Sequence, residues 1–307
     1  MPTDGATADQ AHAEDDLAVL WVPLRGVGPF ATLKVERYVG AGAGAGSTAG
    51  VDADSAAEAV VKVTLNRPEV ANAFNTQMGQ DLLDLWTYLT EADHDVRCVV
   101  LTGAGESVFC AGADLKERNG MSVHQWQRQH ELFERMACAL TELPIPVIAA
   151  VNGHAYAGGF ETALSCDFIY ASRRARFALT EVTLGIMPGI GGTQNLPRAI
   201  GDRRAREILL TGAPISADRA LAWGLVNDLF EPGEVLTHAL DVARRIAGNA
   251  PLSVRQIKKS VRYGREMDLR TAFRFEVEAY NQLIQTEDRT EGILAFNERR
   301  KPVFKGR

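Results

Sequence analysis

The chain has 307 residues, of which 46% are hydrophobic and 23% charged, and its formal net charge is −6. A chain of this length buries a sizeable core as one large domain or two smaller ones, and its acidic balance excludes a general basic field for a polyanion such as nucleic acid. Cys98, Cys110, Cys138 and Cys166 lack paired spacing, which argues against a disulfide framework or a metal site and for small buried residues in a reduced compartment. The acidic start, MPTDGATADQAHAEDD, has no basic n-region, and no apolar run reaches the length of a membrane span, so the expectation is a cytoplasmic protein with no membrane partner.

Residues 1–16 are small, polar and acidic and read as disordered, and Leu17 to Phe30 reads as an irregular arm because Pro23, Gly26, Gly28 and Pro29 break it. Together they form an expected N-terminal extension over 1–30. Leu33 and Val35 alternate with Lys34 and Glu36, the period of a half-buried strand over Ala31 to Tyr38, and Val60 to Leu65 repeats it. Between them, 39–58 is rich in Gly and Ala and reads as a flexible hairpin loop; no Lys-Ser or Lys-Thr follows the glycines to make a phosphate cradle.

From Thr76 the period is helical, with Leu82, Leu85, Trp86 and Leu89 on one face. Arg97 to Thr102 is the next strand, Phe109 to Leu115 a turn, and Ser122 to Leu140 a helix that points Trp126, His130, Phe133, Ala137 and Leu140 inward. His124 and His130 have no second ligand at metal spacing and read as helix-face or packing residues. Pro146 to Val151 is a buried strand closed by Asn152-Gly153. After Met187, Gly189-x-Gly191 is a weak dinucleotide signal, since no strand precedes it. Helices are predicted over 202–210, 217–223, 234–248, 253–265 and 268–285, with one strand at 225–230. The alternation of strand, turn and helix predicts an α/β core over 31–210 and a helical region over 211–307 suited to assembly.

Chemistry concentrates between Pro146 and Met187. Gly158 and Gly159 carry no Cβ, Glu161 follows in a helix of small residues, and free N–H groups at such a helix start point at anions or a developing oxyanion. Glu181 brings a second carboxylate from a separate loop. A purely structural account also fits these residues alone: an acid in a first turn is stabilised by the helix dipole, and a Gly-Gly pair permits tight packing.

Five ordered motifs break that tie. NRPEVANAF (Asn66 to Phe74), FCAGADLKER (Phe109 to Arg118), PVIAAVNGHAYAGGFETALSCD (Pro146 to Asp167), LTEVTLGIMPGIGGTQNLPRAIG (Leu179 to Gly201) and the tail EDRTEGILAFNERRKPVFKG resemble the crotonase superfamily, and within it the enoyl-CoA hydratases. The resemblance covers about Ala59 to Arg307 and implies a spiral of ββα units with a helical C-terminal trimerisation region, assembled as a homotrimer or a dimer of trimers. It implies an acyl-CoA thioester substrate whose carbonyl lies between the N–H groups of Ala113 and Gly158, with coenzyme A arriving as part of the substrate and no permanently bound cofactor or metal. Gly158 is then expected in a conformation that tolerates almost no side chain.

By the same resemblance Glu181 is the principal acid/base and Glu161 orients and activates a water, which makes the protein a hydro-lyase. Ala71, Ala73, Asp114, Leu115 and Lys116 would hold the adenine and pantetheine of CoA; Asp114 serves equally well as a brace of its turn, and Lys116 as a solvated charge. Ala157 stands where many relatives have a third glycine, Phe160 is larger than the usual residue before the acid, and Asn195 replaces a common arginine. The DLKER sequence followed by Met-Ser also resembles methylglutaconyl-CoA hydratases, and the same scaffold hosts acyl-CoA isomerases and hydrolases as alternatives; some methylglutaconyl relatives bind RNA, and the acidic charge disfavours RNA binding here.

Overall fold

The computed structural model describes residues 20–39, 59–91 and 95–307, so the expectations for 1–19 and for the loop from 40 to 58 lie outside the described residues. Strands β1 (Leu20–Pro23), β2 (Leu33–Val39) and β3 (Val60–Leu65) are antiparallel neighbours. A stretch expected to be irregular therefore supplies an edge strand, β1, whose Leu20 to Pro23 run precedes the glycines that break it.

From β3 the chain winds in repeats. Helix α1 (Thr76–Glu91) leads to β4 (Cys98–Gly103) and β5 (Val108–Cys110), followed by α2 (Leu115–Arg118) and α3 (Val123–Glu142). The next turn is β6 (Val147–Val151), β7 (His154–Tyr156) and α4 (Gly158–Ser165), and the one after it begins with β8 (Phe168–Ser172) and β9 (Arg176–Ala178). Each repeat sends its first strand to a seven-stranded sheet, ordered β1-β2-β3-β4-β6-β8-β11, and its second to a four-stranded sheet, ordered β10-β9-β7-β5. This is the ββα spiral expected from the motifs.

The strand residues explain why the large sheet is covered on both faces. Val61, Val63, Leu65, Val99, Leu101, Val147, Ala149 and Val151 point to one apolar cluster, while the alternate residues Val60, Cys98, Val100, Ile148 and Ala150 point to another. The first cluster packs against α1, α3 and α4 through Trp86, Phe133 and Phe160. The second is closed by Val235, Ala239, Leu240 and Ala243 of a later helix. Cys98 and Cys110 are buried, and burial pushes both thiols up to about 12. Cys138 departs from the expectation of burial and is exposed on α3.

The chain then forms α5 (Gly192–Ile200), α6 (Asp202–Thr211), β10 (Ile215–Ser216), α7 (Ala217–Ala222), β11 (Asp228–Phe230) and α8 (Val235–Ala247). β10 adds to the small sheet, β11 lies parallel to β8, and α8 covers β4 and β6, so residues beyond 210 continue both sheets. α9 (Pro251–Gly264), α10 (Leu269–Asn281) and α11 (Glu287–Glu298) complete the chain. Lys258 ties α9 to the body through Asp167 Oδ2 at 2.7 Å and the Ile145 carbonyl at 2.8 Å.

One close approach inside the spiral is at Gly159, where α4 crosses β5. A Cβ there would lie 2.3 Å from the Cys110 carbonyl oxygen and 2.6 Å from the Cys110 Cβ. Backbone cannot yield as a flexible side chain does, so Gly159→Ala is expected to destabilise the fold by about 1–3 kcal/mol or more. An unchanged denaturation midpoint in the variant would show that the contact is not tight.

Candidate active site

The site is built from turns of neighbouring spiral repeats. In the first, Ala71 and Asn72 both take the left-handed conformation, with φ of 56° and 54°. Asn72 is buried and locks this turn: its Oδ1 accepts the Arg67 N–H, and its Nδ2 donates to the carbonyls of Ala104 and Val108, all at 3.0 Å. The turn then bonds to the next one. Ala111 N–H donates to Ala71 at 3.1 Å, Phe74 N–H to Gly112 at 2.7 Å, and Asp114 N–H to Phe74 at 2.7 Å.

These last two bonds form a parallel bridge between Phe74 and Ala113. The bridge uses the carbonyl of 112 and the amide of 114, which leaves the Ala113 N–H turned the other way. Among the described residues it donates to no acceptor, and neither does the N–H of Gly158, the first residue of α4. Gly112, with φ of 93°, brings the two together: a Cβ at 112 would lie 2.7 Å from the Ala157 Cβ and 3.2 Å from the Gly158 nitrogen. Ala113 and Gly158 both line one cleft of about 900 Å³.

Gly158 itself is less confined than expected. A Cβ there would meet Phe74 at 3.6 Å and Ile190 at 3.7 Å, ordinary contacts, so the position admits a methyl group that would stand among the cleft-lining side chains. The confined glycines are its neighbours Gly112 and Gly159.

Two carboxylates face the same cleft. Glu161, in the first turn of α4, is 2% exposed, and its Oε1 accepts N–H groups from Ile190 at 3.0 Å and Gly192 at 2.7 Å. Burial raises its pKa, and the N–H groups of Gly192, Ile190 and Gly189 oppose that rise. Glycine at 192 lets the loop come in, since a Cβ there would lie 3.0 Å from Glu161 Oε1. The PGIGG segment, a weak dinucleotide signal in the sequence, is in the fold a backbone cradle for one acid. Glycine density was the visible signal; its partner, 28 or more residues earlier, was not.

Glu181 begins a short 3-10 turn, Glu181–Leu184, closed by Gly185 in the left-handed conformation. It is 6% exposed, and its Oε2 is buried with no hydrogen-bond partner. Burial, joined by the negative charge of Glu161, pushes its pKa up to about 7, with its own backbone N–H pulling the other way. The site thus holds one anchored carboxylate and one acid with an open oxygen, poised to exchange a proton near neutrality.

The remaining cleft wall is largely apolar, with Phe74, Phe133, Leu184, Ile186, Met187 and Ile190. Trp126 and His130, expected to point into the core, are half-buried and line this cleft instead, because the face of α3 that carries them looks across to the Met187–Ile190 loop. Gly189 approaches His130 so closely that a Cβ there would meet the ring at 2.4 Å.

Of the residues assigned to CoA, Ala113, Leu115 and Gly158 line the cleft; Ala71 and Ala73 lie in the adjoining turn. Asp114 caps α2, its Oδ1 accepting the N–H groups of Lys116 and Glu117 and its Oδ2 an Arg67 N–H at 3.0 Å. Burial alone would raise this carboxyl, but Arg67 and the two amides outweigh it and hold the group below the usual carboxylate range. Lys116 is exposed and pairs with no carboxylate among the described residues. Among those residues there is also no cluster of potential metal ligands, and no helix long and apolar enough to cross a membrane.

Residues 55–307 match the family model described as Enoyl-CoA hydratase/isomerase. The chain is 43% identical over 242 residues to the short-chain-enoyl-CoA hydratase of Clostridium acetobutylicum, covering 79% of this chain and 92% of the relative. It is 41% identical over 251 residues to the (E)-benzylidenesuccinyl-CoA hydratase of Thauera aromatica, covering 80% and 96%. The crystal structure of an enoyl-CoA hydratase from Bacillus anthracis superposes with a TM-score of 0.79 at 44% identity, covering 81% of this chain and 96% of that one.

The Glu181 environment has a consequence for stability. Its folded-state pKa, about 7, stands above the ordinary value of 4.5, so its contribution is fully present below about pH 4.5 and is lost as pH rises through about 7. Glu181→Gln removes that penalty. The variant's melting temperature is expected to exceed that of the parent at pH 8, and the gap to shrink as pH falls towards 5. A gap independent of pH would contradict the buried, proton-holding state of Glu181.

Proposed function

The chain belongs to the enoyl-CoA hydratase/isomerase family, in the crotonase superfamily, and from that premise we propose that it is an enoyl-CoA hydratase, adding water across the 2,3 double bond of an acyl-CoA thioester. The observation that carries this reading is the pair of buried carboxylates facing one cleft with the two unused amides. An isomerase moves a proton and needs one base; hydration also needs a water held against the β-carbon, which a second carboxylate supplies.

In this reading the thioester oxygen accepts hydrogen bonds from Ala113 and Gly158. Addition at the β-carbon sends negative charge onto that oxygen, and fixed donors stabilise it without reorganising. Glu161, held by Ile190 and Gly192, orients the water and takes its proton as the hydroxyl bonds to the β-carbon. Glu181, with a pKa of about 7, delivers a proton to the α-carbon through its open oxygen. A proton returned from Glu161 to Glu181 resets the pair, and the sum is one water added. Backbone groups of the Ala71–Ala73 turn and of residues 114–116 are proposed to hold the CoA moiety.

Assembly follows from the outer helices. Ile257 of α9, Phe273 and Tyr280 of α10, and Phe296 of α11 are all more than half exposed in the single chain. Large apolar side chains at that density mark an interface, and we assign it to a homotrimer or a dimer of trimers. Light scattering is expected to give three or six times the chain mass, and a monomer across micromolar concentrations would refute the assignment.

The reaction is tested with crotonyl-CoA, following loss of the conjugated enoyl absorbance. Glu161→Gln and Glu181→Gln are each expected to lower kcat by about 10²- to 10⁴-fold while folding normally. Near-parental hydration by either variant removes that residue from the mechanism.

A further inference from the structure

One arginine lines the cleft and has no part in the reaction above. Arg118, the last residue of α2, is half-buried there with its guanidinium 4.3 Å from the centre of a Trp126 ring and 5.6 Å from that of Phe133. Its Nε donates to Gln129 Oε1 at 2.8 Å. Gln129 is in turn 4% exposed and fixed by donating to Thr76 Oγ1 at 2.9 Å and to Glu117 Oε2 at 2.8 Å. The guanidinium is therefore held over an aromatic ring and tied at its root to a buried amide.

The outer fork is unused. Among the described residues neither terminal nitrogen donates to a protein acceptor, and Arg118 forms no ion pair. Two acids belong to its surroundings, one acting on its charge and one on the same cleft. Glu117 is occupied by the Thr76 N–H and by Gln129, and Glu131, on the cleft rim, is exposed and free to turn into solvent. A half-buried cation lining a mainly apolar cleft, with its planar fork unpaired, is a site for a planar bidentate anion.

We propose that Arg118 clamps a carboxylate at the acyl end of the substrate, so that the preferred substrates are enoyl-CoA thioesters whose acyl chain carries a free carboxylate. The assignment rests on the hydratase reading of the same cleft. A phosphate of CoA offers the same chemistry to the guanidinium. The acyl carboxylate is the better fit because Arg118 shares its cleft with Glu161 and Glu181, whereas the turn assigned to the adenine end, Ala71–Ala73, does not line it.

The test compares matched thioesters that differ by a methyl against a carboxylate: 2-pentenoyl-CoA with glutaconyl-CoA, and 2-hexenoyl-CoA with 2-hexenedioyl-CoA. The parent enzyme is expected to favour the charged member of at least one pair in kcat/KM. Arg118→Met is expected to lower that preference about 10- to 10²-fold, the range of one charge-assisted pair. Arg118→Lys, which keeps the charge without the fork, is expected to retain part of it and to carry the test should the Met variant fail to fold.

Equal losses on both members of each pair, together with weaker binding of free CoA by calorimetry, would place Arg118 on a CoA phosphate and overturn the proposal. So would hydration of all four thioesters by the parent without preference, an outcome that leaves the hydratase reading standing. Calorimetry with glutaryl-CoA and pentanoyl-CoA, which have no double bond, separates the two readings from the other side. Arg118-dependent preference for glutaryl-CoA in a protein that hydrates nothing would keep the clamp and reject the hydratase.

Discussion

Two stretches of backbone can present free amides to one ligand atom only if they approach more closely than side chains allow. In this chain that approach is between Gly112 and the Ala157–Gly158 junction, where an added Cβ would come within 2.7 Å of Ala157 Cβ. The spiral supplies the framework: β5 and β7 are parallel neighbours in the small sheet, so the turns that leave their ends emerge side by side. Hydrogen bonds from Ala111 to Ala71 and from Ala157 to Ala178 continue the stack on either side. The unused amides of Ala113 and Gly158 are what remains after the neighbouring groups have paired.

The same close packing sets the chemistry of the acids. A buried carboxylate is costly unless hydrogen-bonded, and the two solve this differently. Glu161 borrows backbone amides from the 189–192 loop, whose glycine at 192 makes room for its carboxylate. Glu181 has no such cradle for its Oε2 and answers burial by holding its proton to about pH 7. The difference in surroundings, not in residue type, separates an anchored carboxylate from one that holds its proton towards neutrality.

Much of the framework could be read from the chain because strand period is local. The alternation through Val60 to Leu65 and the apolar run at Val147 to Val151 correspond to observed strands, and Thr76 begins a helix as its period indicates. Gly158, Glu161 and Glu181 stand out from the residues themselves, Ala113 and the four roles only from motif resemblance, and the fold brings all four residues to one cleft. Less legible were features that depend on a distant partner. The helical period of α3 correctly marked an apolar face, yet Trp126 and His130 at its edge meet a cleft instead of the core, since periodicity cannot distinguish two kinds of burial. Helix α5 was hidden by the glycines at its start and Pro197 inside it. α11 has no sustained apolar stripe, and its Asp288 is buried by bonds to the Lys305 and Gly306 amides, contacts that no local pattern announces.

Ala157 shows how framework and site meet in one residue. Its φ of 49° and ψ of −129° lie where a β-carbon is unwelcome, and many relatives were expected to carry glycine there. Such a conformation costs on the order of 1–3 kcal/mol and persists only where its surroundings overdetermine it. They do so here: the Ala157 N–H is held by Ala178 at 2.8 Å, and its carbonyl by the Glu161 N–H at 3.0 Å. The second bond matters most, because it begins the helix that carries Glu161 and leaves the Gly158 amide without an acceptor. Relaxing residue 157 would rotate the peptide that joins it to Gly158, so the strained torsion, the free amide and the anchored acid are one conformational fact.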